Sequence, residues 1–359
     1  MRTSGLTADV VLRARVLRDL ASPERRLPEW SDLWSRCPHA RTFQRPEWLL
    51  AWMRSFKPSH PLLIEVRRKD RLVGLAPLLI YQSGSEKVLA LMGGGVSDYL
   101  DILIDPDFAS ETLALIWNHI KDEPDWTALD LTDLPSTSQL LHTLPDDFNF
   151  SKTAHDVCSG LTLPSKIEEL KNLFPFRQLR NLRNARNRLH RAGSVHIEIA
   201  ARENLTSFLD TLFDLHRQRW ALAGQPGVLA NRAIQSFHKI AAPQLLERGV
   251  LRLYGLRLSG RIIASLYALF ERDSASCYLQ GFNPDYARFS PGVHLLGSVI
   301  ADAVRESKQR IDFLRGREPY KQHWGAFESP TFRIQASRIP RLQTASTTRH
   351  RSGELPASA

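Results

Sequence analysis

Apolar residues gather in short runs at two places that read alike. Leu62 to Gln82 (LLIEVRRKDRLVGLAPLLIYQ) and Val250 to Arg272 (VLRLYGLRLSGRIIASLYALFER) each hold an apolar run, a tight polar pair and a second apolar run with small residues in its middle. The polar pairs are Lys69-Asp70 and Ser259-Gly260. A two-residue polar turn between β-rich flanks predicts a hairpin in each case. The elements after each hairpin match too. KVLALMG and YLDILI after the first hairpin, and SASCYLQGF after the second, predict strands. FASETLALIWNHIKDE and PGVHLLGSVIADAVRES predict helices, the second with Val293, Leu296, Val299/Ile300 and Ala303/Val304 on one apolar face. WTALDLTDL and RIDFL predict one further strand each. The shared order of hairpin, strand, helix and strand implies a parallel neighbour across each helix. The expected class is therefore α/β (α+β), with two mixed sheets flanked by helices. A repeat of this length predicts two similar domains, residues 1–160 and 161–340, not a solenoid.

Between the halves, LKNLFPFRQLRNLRNARNRLHRAG predicts a basic linker helix over 175–192, with Pro175 in the first turn and Gly193 just past the end. Phe176, Leu179, Leu182, Ala185 and Leu189 form an apolar stripe, and Arg177, Arg180, Arg183 and Arg186 a cationic stripe beside it. LTSFLDTLFDLHRQRWAL predicts a further helix. Residues 341–359 are polar and aperiodic, which predicts a disordered tail.

The chain has 359 residues, enough to bury a core without covalent staples. Cys37, Cys158 and Cys277 lie far apart, which points to a reducing compartment and three small buried apolar residues. The N-terminus lacks the basic-then-apolar form of a signal peptide, and no apolar run approaches the ~20 residues of a bilayer span. The expectation is a cytoplasmic protein without a transmembrane segment. A formal charge of +10 favours acidic partners, among them nucleotide cofactors, phosphorylated substrates, nucleic acid or an anionic membrane face.

Five stretches carry candidate chemistry. In NPDYARFSPGVHLL, Ser290-Pro291-Gly292 opens an apolar-periodic helix whose start can cap itself or bind phosphate oxygens, with Arg288 at hand. DFLRGREPYKQHWG crowds Asp312, Glu318, Tyr320, Lys321, His323 and Trp324 just past a strand, either as proton-handling groups or as a strand-end ion pair with a tryptophan plug. LMGGGVSDYLDILI has three glycines but no Gly-Lys-Ser/Thr, so it reads as a strand break, with Asp98, Tyr99 and Asp101 free to face an interdomain cleft. The arginine stripe is a solvated face or an anion site. In LHRQRWALAGQPG, His216 and Trp220 read as a solvent-facing histidine beside a packed tryptophan, or as part of a site. HExxH, GxSxG and paired Cys/His spacings are absent, so nothing supports a metal site or a serine triad.

Taken together these pieces resemble the GNAT superfamily, in particular its large CelD-like branch of bacterial acetyltransferases, related to the Fem-type peptidyltransferases. The resemblance runs from about Leu27 to Ile339. It rests on TFQRPEWLLAWMRSF, LVGLAPLLI, GGGVSDYLDILI, RNLRNARNRL, LHRQRW, YARFSPGVHLL and DFLRGREPYKQHWG. It implies two tandem GNAT-like domains, with acyl-CoA (acetyl-CoA) as co-substrate in the C-terminal one and no metal. The donor diphosphate would lie against Arg288, Ser290, Gly292 and Val293, although RFSPGV departs from the family's Arg/Gln-x-x-Gly-x-Gly/Ala and Pro291 removes an amide. A backbone N–H near Gln280, Gly281 and Phe282 would stabilise the oxyanion. Glu318 or Asp312 would serve as base, Tyr320 as acid and Lys321 as anchor for an anionic part of the acceptor. Asp98, Tyr99, Arg183, His216, Trp220 and Trp324 would face the acceptor.

The expected function is thus N- or O-acetyl transfer from acyl-CoA to a sugar, amino sugar or small amine in polysaccharide or cell-envelope metabolism. The alternatives are a Fem-type transferase using aminoacyl-tRNA, or a degenerate, non-catalytic GNAT module. A small-molecule or glycan-precursor acceptor, anionic in character, is the expected partner. Nucleic acid enters only as tRNA under the first alternative.

Overall fold

The computed structural model describes residues 11–18, 26–145 and 148–338; the tail expected over 341–359 lies outside them. The chain runs β1 (Leu12–Leu17), α1 (Leu27–Arg36), α2 (Pro46–Phe56), β2 (His60–Arg68), β3 (Arg71–Ser83), β4 (Glu86–Leu91), β5 (Leu103–Ile104), α3 (Ala109–Asp122), β6 (Ala128–Pro135) and β7 (Ser151–Thr162). It continues with α4 (Leu170–Leu173), α5 (Phe176–Ala192), β8 (Val195–Ile199), α6 (Leu205–Ala221), α7 (Arg232–Glu247), β9 (Leu251–Leu258), β10 (Arg261–Glu271) and β11 (Ser274–Phe282). It closes with α8 (Pro291–Arg305), β12 (Arg310–Arg315), α9 (Pro319–His323) and β13 (Phe327–Ser337).

Both expected hairpins form, and Lys69 and Ser259 adopt the left-handed φ (53° and 49°) that the tight turns need. Both crossover helices form as well, joining strands that pair in parallel, β4 with β6 and β11 with β12. The strands make one sheet in the order β1-β2-β3-β4-β6-β13-β7-β12-β11-β10-β9-β8, with β5 beside β3. From either edge inward, this order gives the same connectivity twice. At the centre the halves exchange strands: β13 lies beside β6, and β7 lies beside β12. The boundary expected at 160/161 falls inside β7, because that strand and β13 are shared.

Three apolar clusters fill the layers between sheet and helices. The basic helix forms as α5, with Pro175 as its N-cap, one step outside the first turn. It packs on α8 through Leu182, whose side chain occupies the space a Cβ on Gly297 would need. The three cysteines are free and buried. Among the described residues no helix is long and apolar enough to cross a membrane.

The halves differ where their parallel strands splay. In the first, β4 and β6 pair only at Val88↔Ala128 and Leu89↔Leu129, and the glycine stretch then turns the chain back into the gap. Gly93 and Gly95 take positive φ, the Leu100 amide donates to the Asp133 main-chain carbonyl, and Val96, Tyr99, Leu100 and Ile102 are buried. YLDILI keeps only the two residues of β5 as strand for that reason. In the second half, β11 and β12 pair over Ser274–Ser276 and Arg310–Asp312 and then part without a plug.

Candidate active site

The parting of β11 and β12 has a backbone cause. Leu314 takes a left-handed φ of 61°, and the β12–β7 register shifts between Asp312 and Leu314. A shift also falls between Tyr267 and Ala268 opposite β11. Bulges of this kind bend a strand and end its pairing. Two cavities open in the gap.

The first cavity, about 310 Å3, is lined by Gln178, Asn181 and Arg219, by β11 at Gln280 and Phe282, by the start of α8, and by Tyr320, His323 and Trp324. Gln280, Phe282, Ser290, Gly292 and Val293, the residues expected to meet the donor, all line this one cavity. A Cβ built on Gly292 meets nothing within 4 Å, so the helix start is open to a ligand. Pro291 offers no amide, and the Val293 and His294 amides already donate to the Ser290 carbonyl. Gly292 is the one amide of that turn left for an anion. The thinned cradle gains a cation: Arg188 of α5 donates to the Ser290 hydroxyl at 2.9 Å. Two expected contacts fall elsewhere. Arg288 lies over the Phe289 ring at 4.7 Å and does not line the cavity. Gly281 is a spacer, since a Cβ there would meet the backbone of α6.

The second cavity, about 220 Å3, sits at the seam of the two halves. Gly95, Val96 and Asp98 come from the first half; His216, Arg219, Trp220, Cys277, Tyr278, Arg315, Glu318, Tyr320 and Lys321 come from the second. The Tyr278 hydroxyl ties the halves together by donating to the Val96 carbonyl at 2.6 Å. Arg219, Gln280, Leu296 and Tyr320 line both cavities, so the two chambers meet across these four side chains.

Several expected roles change in this frame. Asp312 is 1% exposed and lines neither chamber. It accepts from Arg41 (3.1 Å), the Tyr99 hydroxyl (3.0 Å) and the Leu314 amide (2.8 Å), so it is a structural ion pair between the halves and not a base at the cleft. Tyr99, expected to face the acceptor, is buried with it and lines neither cavity. Lys321 is 2% exposed, and its Nζ donates to the carbonyls of Leu314 (3.0 Å), Arg315 (2.7 Å) and Gly316 (3.0 Å) while pairing with Glu318 at 2.9 Å. It holds the loop after β12 and has no donor left to anchor an acceptor. Arg183 is exposed on α5, outside both chambers. Trp324 is buried in the wall of the first cavity, edge-on to Phe174.

Others gain weight. Asp98 lines the second cavity and pairs with Arg315 at 3.3 Å, but Asp133 (3.1 Å) and Asp156 (3.9 Å) compete for the same guanidinium. Burial, with nearby Asp312 and Asp133, lifts its carboxyl to about 6. Burial also raises the Tyr320 hydroxyl above its ordinary range. His216 is buried, not solvent-facing; burial holds it down to about 4 and hence neutral, and its Nδ1 has no partner.

Arg219 was missed. It donates only to the Gln280 carbonyl (3.4 Å), pairs with no carboxylate among the described residues, and stands between the chambers. Its spacing of three from His216, which puts both on one helix face, was the available signal. No group of three or more His, Cys, Asp or Glu among the described residues is placed to hold a metal ion.

Residues 177–322 match the model of a family described as an acetyltransferase (GNAT) domain. No curated protein sequence matches. Among solved structures, the crystal structure of FemX aligns with a TM-score of 0.61 at 13% identity, covering 89% of this chain and 96% of that one. A conserved protein of unknown function from Bacteroides thetaiotaomicron VPI-5482 aligns at 0.59 and 12% identity, covering 87% and 97%. L-PGS from Bacillus licheniformis aligns at 0.50 and 13%, covering 75% and 82%. At these identities the likeness is one of fold.

Proposed function

Because residues 177–322 match the model of a GNAT acetyltransferase domain, we propose that the chain transfers an acyl group from acyl-CoA to an amine or hydroxyl of a small acceptor. The observation that carries this reading is the pair of chambers joined across Arg219, Gln280, Leu296 and Tyr320. A two-substrate transfer needs donor and acceptor brought together at one point, and much of the rate comes from that placement.

The work is divided among residues of both halves. The Gly292 amide, the Ser290 hydroxyl and Arg188 receive the donor's diphosphate. The unpaired edge of β11 near Gln280 offers N–H groups to the developing oxyanion. A thioester supplies an activated acyl carbon; the acceptor nitrogen or oxygen bonds to it and the carbon–sulfur bond breaks. Asp98 takes the acceptor's proton, since a carboxyl near 6 is a competent base at neutral pH and it shares its partner Arg315 with Asp133 and Asp156, whereas Lys321 pairs with Glu318 alone among the described residues. Tyr320, between the chambers, gives a proton to the departing thiolate. An anionic part of the acceptor meets Arg219 in place of Lys321. A sugar, amino sugar or amine of polysaccharide or envelope metabolism, as in the CelD-like branch, fits a polar chamber of this size.

Aminoacyl transfer from tRNA is the second reading, and one observation favours it. The six arginines of α5 (Arg177, Arg180, Arg183, Arg186, Arg188, Arg191) make no ion pair with a carboxylate among the described residues. Thermal melts separate the readings. Acetyl-CoA at 100 times its Kd adds about 2.7 kcal/mol of stability. Stabilisation by RNA that fades with salt, and none by any acyl-CoA, selects the tRNA reading or a non-catalytic module. Mass spectrometry of small-molecule extracts incubated with labelled acetyl-CoA then identifies the acceptor.

A further inference from the structure

A separate cavity of about 230 Å3 lies at the opposite end of β11 and β12 from the splayed cleft. There residues 38–43 of the first half meet the β10–β11 turn and the start of β12. It shares no lining residue with either chamber. Arg41, Arg272 and Arg310 reach it from three different segments.

The carboxylates beside these guanidinium groups do not match all three of them. Glu271 accepts from Arg45 at 2.5 and 3.0 Å. Asp312 is the one carboxylate set against two of the three: it accepts from Arg41 at 3.1 Å, and its same oxygen, also bonded by Tyr99, stands 3.6 Å from Arg310. The Arg310 Nε is buried without a hydrogen-bond partner. Arg272 donates to the main-chain carbonyls of Trp34 (2.7 Å), Ser35 and Pro38 (3.5 Å each) and stacks over Trp34 at 4.2 Å, with no carboxylate bonded. Burial pulls its pKa down, a shift that an anion beside it reverses. Asp273, exposed at the rim, pairs with none of the three. Thr42, Thr137, Ser274 and Ser276 add hydroxyls to the wall.

Planar guanidinium forks match the oxygens of phosphate, and hydroxyls suit a polar body attached to it. The volume lies below the range of drug-sized pockets, so the occupant is small. We infer that this cavity binds a small phosphate monoester, its phosphate held by Arg41, Arg272 and Arg310 and its polar body by the hydroxyl wall. The site is independent of the acyl-transfer reading, because no residue is common to both.

Calorimetric titration of the full chain with inorganic phosphate and with glycerol 3-phosphate, in physiological salt, tests it. One saturable site is expected, tighter for glycerol 3-phosphate. Arg272→Gln should weaken it about tenfold, the worth of one charged hydrogen bond. Thr137→Trp, which fills the mouth from an exposed position, should weaken it too. Gly292→Leu in the donor chamber should leave it intact. The inference is overturned by no binding at millimolar phosphate ester, by binding that survives both the Arg272 and Thr137 changes, or by binding lost with Gly292→Leu. Acetyl-CoA binding, titrated in parallel, reports on the donor chamber alone.

Discussion

A Cβ on Gly281 would lie 2.4 Å from the His216 amide nitrogen, so β11 and α6 touch backbone to backbone at the wall of the acceptor chamber. Glycine is required there for contact, not for turn geometry. The approach sets where His216, Arg219 and Trp220 stand relative to Gln280. Gly281→Ala must push α6 outward, and overpacking of this kind costs about 1–3 kcal/mol. Turnover should fall further than stability, because a shift on the order of 1 Å misaligns the chamber wall. Paired melting and kinetic measurements check both effects.

Gly292 is the opposite case. Its neighbourhood is empty, its backbone is ordinary helix, and Leu is a good helix former. Gly292→Leu should leave the melting temperature unchanged while raising the KM for acetyl-CoA about tenfold or more, since it fills the donor space and screens the free amide. An unchanged KM removes the start of α8 from the donor site.

Tyr320→Phe removes one hydroxyl, which has no hydrogen-bond partner among the described residues, so the fold should not notice it. If Tyr320 protonates the leaving thiolate, kcat falls about 10²-fold or more while the KM for acetyl-CoA holds. A donor with a better leaving thiol should recover part of the loss. Wild-type turnover in the variant excludes the role.

How much of this was legible in the chain depends on how local each feature is. The hairpins, both crossover helices and α5 follow from residues within one window, and each formed as patterned. The exchange of β7 and β13 did not show, because any apolar strand can pair with either half and only the assembled sheet decides. Asp312 and Asp98 teach the same lesson about the site. Both are acids beside glycine or aromatic residues, but the pleat sends Asp312 toward Arg41 while a loop carries Asp98 into the chamber. Spacing along one strand cannot reveal which face of a sheet will be hollow. Lys321 looked like a free cation because its three acceptors are main-chain carbonyls, to which sequence patterns are blind.

That ligation gives a stability prediction. Lys321→Met keeps the length of the side chain and removes its charge, leaving one buried and two partly buried carbonyls without their donor and Glu318 without its cation. Loss on the order of 3 kcal/mol is expected, because each orphaned buried group costs about 1–3 kcal/mol and water reaches some of them. Chemical denaturation should show it, with a larger drop than for Tyr320→Phe in the same loop. Equal stability of the two variants places Lys321 outside the scaffold.

Asp98 separates the catalytic reading from a structural one by the signs of two pH dependences. Its carboxyl binds a proton more tightly in the folded chain, at about 6, than at the ordinary 3.8. Between those values the folded state therefore holds more protons, and stability falls as pH rises through the window; above it the cost is constant. Activity runs the other way, since the base works deprotonated and kcat/KM should rise through about 6. Asp98→Asn removes the charge but keeps the shape. The variant should be equal to or more stable than wild type at neutral pH, by up to roughly 3 kcal/mol, because a two-unit shift is worth about that much. Its kcat/KM should drop about 10²–10⁴-fold and lose the rise near 6. Other acids with raised pKa values, Asp101 and Asp133, remain in both proteins, so the difference between them belongs to Asp98. A variant that unfolds, or one that keeps both its rate and its pH arm, makes Asp98 a partner of Arg315 and returns the base to Glu318.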